Sequence, residues 1–373
     1  MENQNQEKAA RAIGRVAVIG CGRWGSLITW YLSACRGLDV TLYGRPDSTH
    51  MQRFLRERRN DLLTLPDSVQ LSTDLASALE GREVIVISIG AQGLRGLMEE
   101  LRPLALRDRI VVLCMKGVEA DTGLRLSEIA GAALDPSCRI AVWVGPGHVQ
   151  EFYAGIPNCM VIDSADGEVK RRLVNAFSGD LIRFYYGEDL LGSEIGAASK
   201  NVIGIAAGML DGMKLTTLKG ALMSRGTREI ARLIRAMGGN ELSAYGLCHL
   251  GDYEATVFSP FSHNRAFGEA WVTHRPYTEL AEGYATVRAM CLLGDRYGVD
   301  LPICRAVYRI LYENADPIAE LQTLFSRHVK TEFYFRGSGR LCAVRKAGGR
   351  PLRHGTVRLT PAGRLTEKAG LTR

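Results

Sequence analysis

Short apolar runs at 16–19, 40–43, 84–89, 110–114 and 140–144 punctuate the first half of the chain. Runs of this kind, without polar alternation, suit strands covered on both faces, as in a parallel sheet. The segments between them, such as 27–35, 51–59 and 94–101, carry their apolar residues at helical spacing. Strand and helix alternate, which predicts a doubly wound α/β arrangement. Past about Tyr186 the β-branched runs stop, and the segments become longer and richer in Ala, Leu, Met and Gly. Stretches 193–212, 221–237, 277–297 and 303–312 read as helices, so the second half is expected to be all-helical.

The first apolar run leads into Gly20-Cys21-Gly22-Arg23-Trp24-Gly25. In this strand–glycine–helix context Gly20 allows the tight turn, Gly22 lets the backbone approach a pyrophosphate, and Gly25 permits close packing of helix on strand. The helix N-terminus then offers free N–H groups to the anion. The expected division is an N-terminal Rossmann-type domain over 13–190, a helical substrate and catalytic domain over 191–330, and an extension over 331–373. An NAD-selective site carries an acid about 20 residues on. Here the second strand ends in Leu42-Tyr43-Gly44-Arg45. Arg45 either holds a 2′-phosphate or is a solvated loop residue, and the expectation is NADP(H) as preferred cofactor with NAD(H) also accepted.

Composition narrows the function classes. The chain has 373 residues, 46% hydrophobic and 23% charged, within the soluble globular range and long enough for two to three domains. Its net charge is +7, but 331–373 alone holds ten Lys/Arg against two acids, a net +8, so the preceding residues sum to −1. A nucleic-acid-binding reading of the body loses its support. Nine cysteines, none closer than 13 residues to the next, form no CxxC pair, and no metal site is expected. Scattered single cysteines suit small buried hydrophobes in a reducing cytosol. Residues 1–15 are polar and charged, and the apolar stretch 201–210 is far shorter than the roughly 20 residues of a membrane span. A cytoplasmic protein with no integral membrane segment is expected.

Glu194-Ile-Gly-Ala-Ala-Ser-Lys200-Asn201-Val-Ile-Gly-Ile-Ala-Ala-Gly208 places one lysine in a helix of small apolar residues. Such a lysine either snorkels to water or is held at a site, where desolvation lowers its pKa toward the range useful for proton transfer. With this run, Lys116-Gly117, Gly145-Pro146, Arg225-Gly226, Leu250-Gly-Asp252, Asn264-Arg265, Ala281-Glu282-Gly283 and Leu301-Pro302-Ile303 follow in an order that resembles the bacterial type of NAD(P)-dependent glycerol-3-phosphate dehydrogenase. The resemblance covers roughly 15–330, and the Ser199–Gly208 run is its most specific part.

The resemblance implies a two-domain homodimer that reduces dihydroxyacetone phosphate to sn-glycerol 3-phosphate for glycerophospholipid synthesis. It makes Lys200 the proton donor and acceptor, with Asp252 beside it. A phosphorylated small molecule would meet Lys116, Gly145, Gly147, Asn201, Thr256, Ser262, His263, Asn264 and Arg265. The cofactor would meet Gly20, Gly22, Arg23, Trp24, Gly25, Arg45, Lys116, Val149 and Glu282, although Glu282 also suits a solvated helix position.

Four departures stand against this pattern. His263 replaces an arginine that in the family binds the phosphate end and the cofactor. It is a weaker, pH-dependent cation without a bidentate fork, so either Arg265 turns in or affinity for a phosphorylated substrate falls. Gly147 lacks the family's hydroxyl. The loop 60–66 is short, and Thr217-Leu218 replaces an Asp-Asn pair. A diverged paralogue acting on another small keto or hydroxy substrate, or a non-catalytic dinucleotide-binding protein, therefore remains an alternative. The basic extension runs past the family's usual end, and reads as a flexible solvated tail or as a contact for anionic lipid.

Overall fold

In the computed structural model, which describes residues 13–329, 331 and 332, the apolar runs of the first half become the centre of one sheet. Strands β1 (Arg15–Ile19), β2 (Asp39–Tyr43), β3 (Gln70–Ser72), β4 (Val84–Ile87), β5 (Ile110–Leu113), β6 (Arg139–Val144), β7 (Asn158–Ser164) and β8 (Ile182–Tyr186) lie in the order β3-β2-β1-β4-β5-β6-β7-β8. The first six run parallel, β7 pairs antiparallel to β6, and β8 follows β7 in parallel. The strand order reverses at β1/β4, where a doubly wound sheet opens its ligand crevice.

Both faces are covered, which explains the unbroken apolar runs. Val16 and Val18 point into one core with Leu27 and Ile28 of α1 (Arg23–Trp30) and Met51 and Phe54 of α2 (Thr49–Glu57). Ala17 and Ile19 point into the other, which also buries Ala78 of α3 (Leu75–Leu79), Leu94 and Met98 of α4 (Leu94–Leu101) and Ile129 of α5 (Leu126–Ala133). Successive side chains thus face opposite layers, both of them dry. The short α6 (Val149–Tyr153) and α7 (Gly167–Phe177) complete this half. Strands β3, β7 and β8 were not among the five expected. β8 exposes Arg183, Tyr185 and Tyr186, and so carries no unbroken apolar signal.

The second half is helical, as expected: α8 (Leu190–Gly212), α9 (Lys219–Ala236), α10 (His263–Val272), α11 (Glu282–Arg296), α12 (Pro302–Tyr312) and α13 (Pro317–Phe325). The helix expected over 277–297 begins only at Glu282. The residues before it are held off helix, with Tyr277 donating its hydroxyl proton to the His263 carbonyl at 3.1 Å. Of the eight cysteines described, all are unpaired; six are buried, Cys159 is half-buried and Cys35 is exposed. The basic extension lies outside the described residues apart from Thr331 and Glu332.

Helix α8 is the axis of this half, buried almost throughout. Its small residues are explained by the crossing with α10. A Cβ on Gly208 would stand 1.9 Å from the Arg265 carbonyl oxygen, and one on Gly268 would stand 2.1 Å from that of Ile205. The two backbones touch, so neither position can carry a side chain without separating the helices. Gly283 does the same for α11, where an added Cβ would stand 2.7 Å from the Asn201 carbonyl oxygen. Gly268→Ala is expected to lower the unfolding free energy by about 1–3 kcal/mol or more through overpacking, measured by urea denaturation. A wild-type midpoint would show that the crossing can relax.

Candidate active site

The loop after β1 is shaped by contacts that forbid side chains. Gly20 has φ +109°, and a Cβ there would lie 2.2 Å from the Ser88 carbonyl oxygen; one on Gly25 would lie 1.9 Å from that of Gly20. Gly22 precedes α1 and offers no side-chain cap, with nothing within 4 Å of where its Cβ would be. The first-turn N–H groups of α1 at Arg23 and Trp24 are thereby free of any side-chain acceptor, the arrangement that receives a pyrophosphate. Arg45 is exposed at the C-terminal end of β2. Glu282 reaches from α11 to the Ala91 N–H at 2.9 Å, and burial raises its pKa. Val149 is buried in the first turn of α6.

The C-terminal end of β5 brings Lys116 to the same crevice. Its Nζ donates to the Gly145 carbonyl at 2.6 Å and to Asp252 Oδ2 at 2.7 Å, and stands 5.9 Å from the centre of the Trp24 ring. Lys200, midway along α8, approaches the same carboxylate oxygen at 3.0 Å and donates to Thr256 Oγ1 at 2.7 Å. Asp252 is 1% exposed. Two ammonium groups from different halves of the chain therefore share one buried carboxylate, leaving a net positive site. Burial lowers the Lys200 pKa to about 8, with Asp252 opposing the shift and Lys116 adding to it. Such a lysine is charged at neutral pH yet close to releasing its proton.

Neighbouring side chains hold this cluster. Asn201 Nδ2 donates to the Lys116 carbonyl at 2.8 Å, tying α8 to the end of β5. His249 is fully buried: Nδ1 donates to the Gly196 carbonyl at 2.8 Å, so Nε2 accepts from the Tyr253 hydroxyl at 2.7 Å. That pair links α8, one turn before Lys200, to the turn that bears Asp252. Burial holds His249 neutral, its pKa pushed down to about 4. Sequence reading singled out neither His249 nor Tyr253. Their i, i+4 spacing around Asp252 was the available signal.

The expected substrate residues divide. Gly145 accepts from Lys116. Gly147 has φ +138°, and a Cβ there would sit 2.2 Å from the Phe152 ring, so this backbone excludes the hydroxyl-bearing residue that the resemblance called for. Ser262 accepts from the Arg265 N–H at 3.3 Å as the cap of α10, and Asn264 accepts from the Gly283 N–H at 2.8 Å. Arg265 points to Asp211 at 2.8 Å, about 16 Å along α8 from Lys200. His263 faces Arg23, whose guanidinium donates to its Nε2. His148, absent from the expected set, is half-buried near the cluster, with its ring 5.5 Å from that of Phe261. Burial and the charge of Lys200 push its pKa down to about 4. His148 Nε2, Trp24 Nε1 and Asp252 Oδ1 are buried polar atoms without a protein partner among the described residues, and buried polar groups of this kind suit a polar ligand. No cluster of three or more metal-ligating side chains occurs among the described residues, and no helix there is long and apolar enough to cross a membrane.

The chain is similar to known proteins over most of its length. The family model for the N-terminus of NAD-dependent glycerol-3-phosphate dehydrogenase matches residues 15–170, and that for its C-terminus matches 189–322. An NAD(P)+ glycerol-3-phosphate dehydrogenase of Chlorobium phaeobacteroides (strain BS1) is 34% identical over 331 residues, 85% of this chain and 99% of its own. One from Streptomyces griseus is 37% identical over 330 residues, 85% and 98% of the two chains. The crystal structure of a glycerol-3-phosphate dehydrogenase from Coxiella burnetii superposes with a TM-score of 0.79 at 26% identity, covering 84% of this chain and all of its own.

Asp252→Asn removes the only carboxylate held between Lys116 and Lys200. The unfolding free energy is expected to fall by about 3–5 kcal/mol at pH 7. The deficit relative to wild type should shrink as pH rises toward about 8 and level off above it, because wild-type Lys200 loses over that range the charge that Asp252 balances. Urea unfolding at pH 7 and pH 9 reads both; an equal deficit at the two values would contradict the coupling.

Proposed function

The chain belongs to the NAD-dependent glycerol-3-phosphate dehydrogenase family, and we propose that it interconverts dihydroxyacetone phosphate and sn-glycerol 3-phosphate with Lys200 as the proton-transfer group. The observation that carries this reading is the buried Lys116–Asp252–Lys200 cluster, set at the crevice where the uncapped α1 N-terminus opens. Gly20 and Gly25 let the loop close on Ser88 and on itself, and Gly22, with open space where its Cβ would be, leaves room for a dinucleotide backbone. When bound, the nicotinamide supplies or takes the hydride.

In the reducing direction Lys200 gives its proton to the carbonyl oxygen of the substrate. A pKa near 8 keeps the donor charged at neutral pH while making release easier than from an ordinary lysine. The Lys116 ammonium adds a second positive charge facing the same oxygen, stabilising the developing alkoxide in a site from which bulk water is largely excluded. Asp252 keeps Lys200 protonated before the step and fixes its direction, and Thr256 holds the third side of the ammonium. In the oxidising direction neutral Lys200 takes the hydroxyl proton.

Arg45 at the end of β2, where an NAD site carries an acid, supports a preference for NADPH. A cytoplasmic homodimer supplying glycerophospholipid synthesis is the setting the family resemblance suggests. A paralogue acting on an unphosphorylated keto substrate is the second reading, favoured by the neutral His263 in place of an arginine. NADPH oxidation with dihydroxyacetone phosphate, run beside NADH and beside dihydroxyacetone, separates the two. Turnover that requires the phosphate and falls by about 10²–10⁴-fold in Lys200→Ala, with NADPH still bound, is the expected result. Wild-type turnover in that variant would contradict the assignment of Lys200.

A further inference from the structure

A phosphorylated substrate needs a cation at its phosphate end, and His263 does not supply one. Its Nε2 accepts from the Arg23 guanidinium, so the ring is neutral, and burial together with the Arg23 charge holds its pKa below the ordinary value. Arg265 is occupied elsewhere. Its Nη1 donates to Asp211 at 2.8 Å and Glu269 at 3.4 Å, and its Nε donates to the Ser259 carbonyl at 3.1 Å.

Arg23 differs from both. It is half-buried, and its partners are two neutral groups: His263, and Gln150 Oε1 at 3.4 Å. Among the described residues no carboxylate forms an ion pair with it; the acids lining the same cleft are Asp61, which pairs with Arg53, and the exposed Glu279, whose charge reaches His263. The cleft, about 690 Å³, is lined by Arg23 and Gln150, by Ser262 and His263 at the start of α10, by Tyr277, and by residues of α2 and of the 60–62 loop. The charges of Arg23, Lys116 and Lys200 all act on the half-buried His148, so the guanidinium and the lysine cluster share that ring as a neighbour. A partly buried guanidinium without a carboxylate partner presents a fork suited to bidentate contact with a phosphate.

We propose that the Arg23 side chain grips the phosphate of the substrate, reaching from the cofactor loop across the cleft to the place where His263 contributes no charge. This rests on the function proposed above. The backbone N–H of Arg23 belongs to the first turn of α1 and faces the cofactor side, while its side chain crosses to α10, so one residue serves both ligands through different atoms. His263 and Gln150 orient the guanidinium by accepting from it.

The test uses the full chain, with Arg23→Gln and the double variant Arg23→Gln/His263→Arg, which moves the guanidinium to the opposite wall. In Arg23→Gln, kcat/KM for dihydroxyacetone phosphate is expected to fall about 10- to 100-fold. The inhibition constant of inorganic phosphate as a competitor is expected to rise by a similar factor. The NADPH Kd, read from its fluorescence, should move less than about threefold, and the double variant should recover most of kcat/KM. An unchanged kcat/KM and phosphate inhibition in Arg23→Gln would overturn the assignment. So would a loss that tracks an equal rise in NADPH Kd, which would place the arginine on the cofactor phosphates instead. A wild-type protein that binds NADPH but never turns over dihydroxyacetone phosphate would overturn the proposed function, and this assignment with it.

Discussion

Asp252 Oδ2 lies within 3.0 Å of two lysine ammonium groups that arrive from opposite halves of the chain, and the rest of the site is arranged around that contact. Lys116 comes from the end of a parallel strand, Lys200 from the middle of a buried helix, and Asp252 from a tight turn between helices. None of the three is useful alone. A buried lysine without the carboxylate would shed its charge, and a buried carboxylate without the lysines would take up a proton. Together they keep a buried lysine charged and leave a net positive field at the crevice.

Holding three elements in register takes further buried polar groups, each fully engaged. Glu194 on α8 accepts from the Ser127 N–H at 2.9 Å, the Ser127 hydroxyl at 2.6 Å and Arg125 at 2.8 Å, pinning the helical half to the start of α5. Asp163 on β7 accepts from the Asp189 N–H at 3.1 Å and the Ser193 hydroxyl at 2.9 Å, which fixes the point where α8 leaves the sheet. Glu229 on α9 accepts from the Ile303 and Cys304 N–H groups, each at 2.9 Å, and so caps α12 from within the core. Buried ion pairs and carboxylates add little net stability compared with apolar packing. Their effect is directional, and they set where α8, and with it Lys200, lies relative to β5. Gly208 on α8, Gly268 on α10 and Gly283 on α11 act in the same sense by letting these helices approach to backbone contact.

What could be read from the chain follows the same division. The five expected strands were legible because burial on both faces writes itself as an unbroken apolar run. β8, with alternate residues exposed at an edge, writes no such run. Lys200 was legible because a cation among Gly, Ala and Ile is chemically out of place, and the glycine loop because a strand and a helix frame it. The helices α3, α5, α6, α7, α10 and α13 were not named from the sequence. The departures at 147 and 263 could be seen but not interpreted. Gly147 is required by Phe152 beneath it, and His263 meets an arginine 240 positions earlier. Arg265, a cation in the same motif, is turned toward Asp211 by the fold. Residue type and local spacing name the candidates, but only tertiary contact decides which of them face the crevice.

The central claim is that burial beside a second lysine brings Lys200 into the titration range of proton transfer while Asp252 keeps it charged at neutral pH. NMR titration of the lysine side chains in the isotopically labelled wild-type protein, with Lys200 assigned by its absence in a Lys200→Met spectrum, measures this directly. A midpoint of about 8 is predicted. A midpoint near the ordinary lysine value of about 10.4 would contradict the account, because Lys200 would then be a solvated cation with no special readiness to give up its proton.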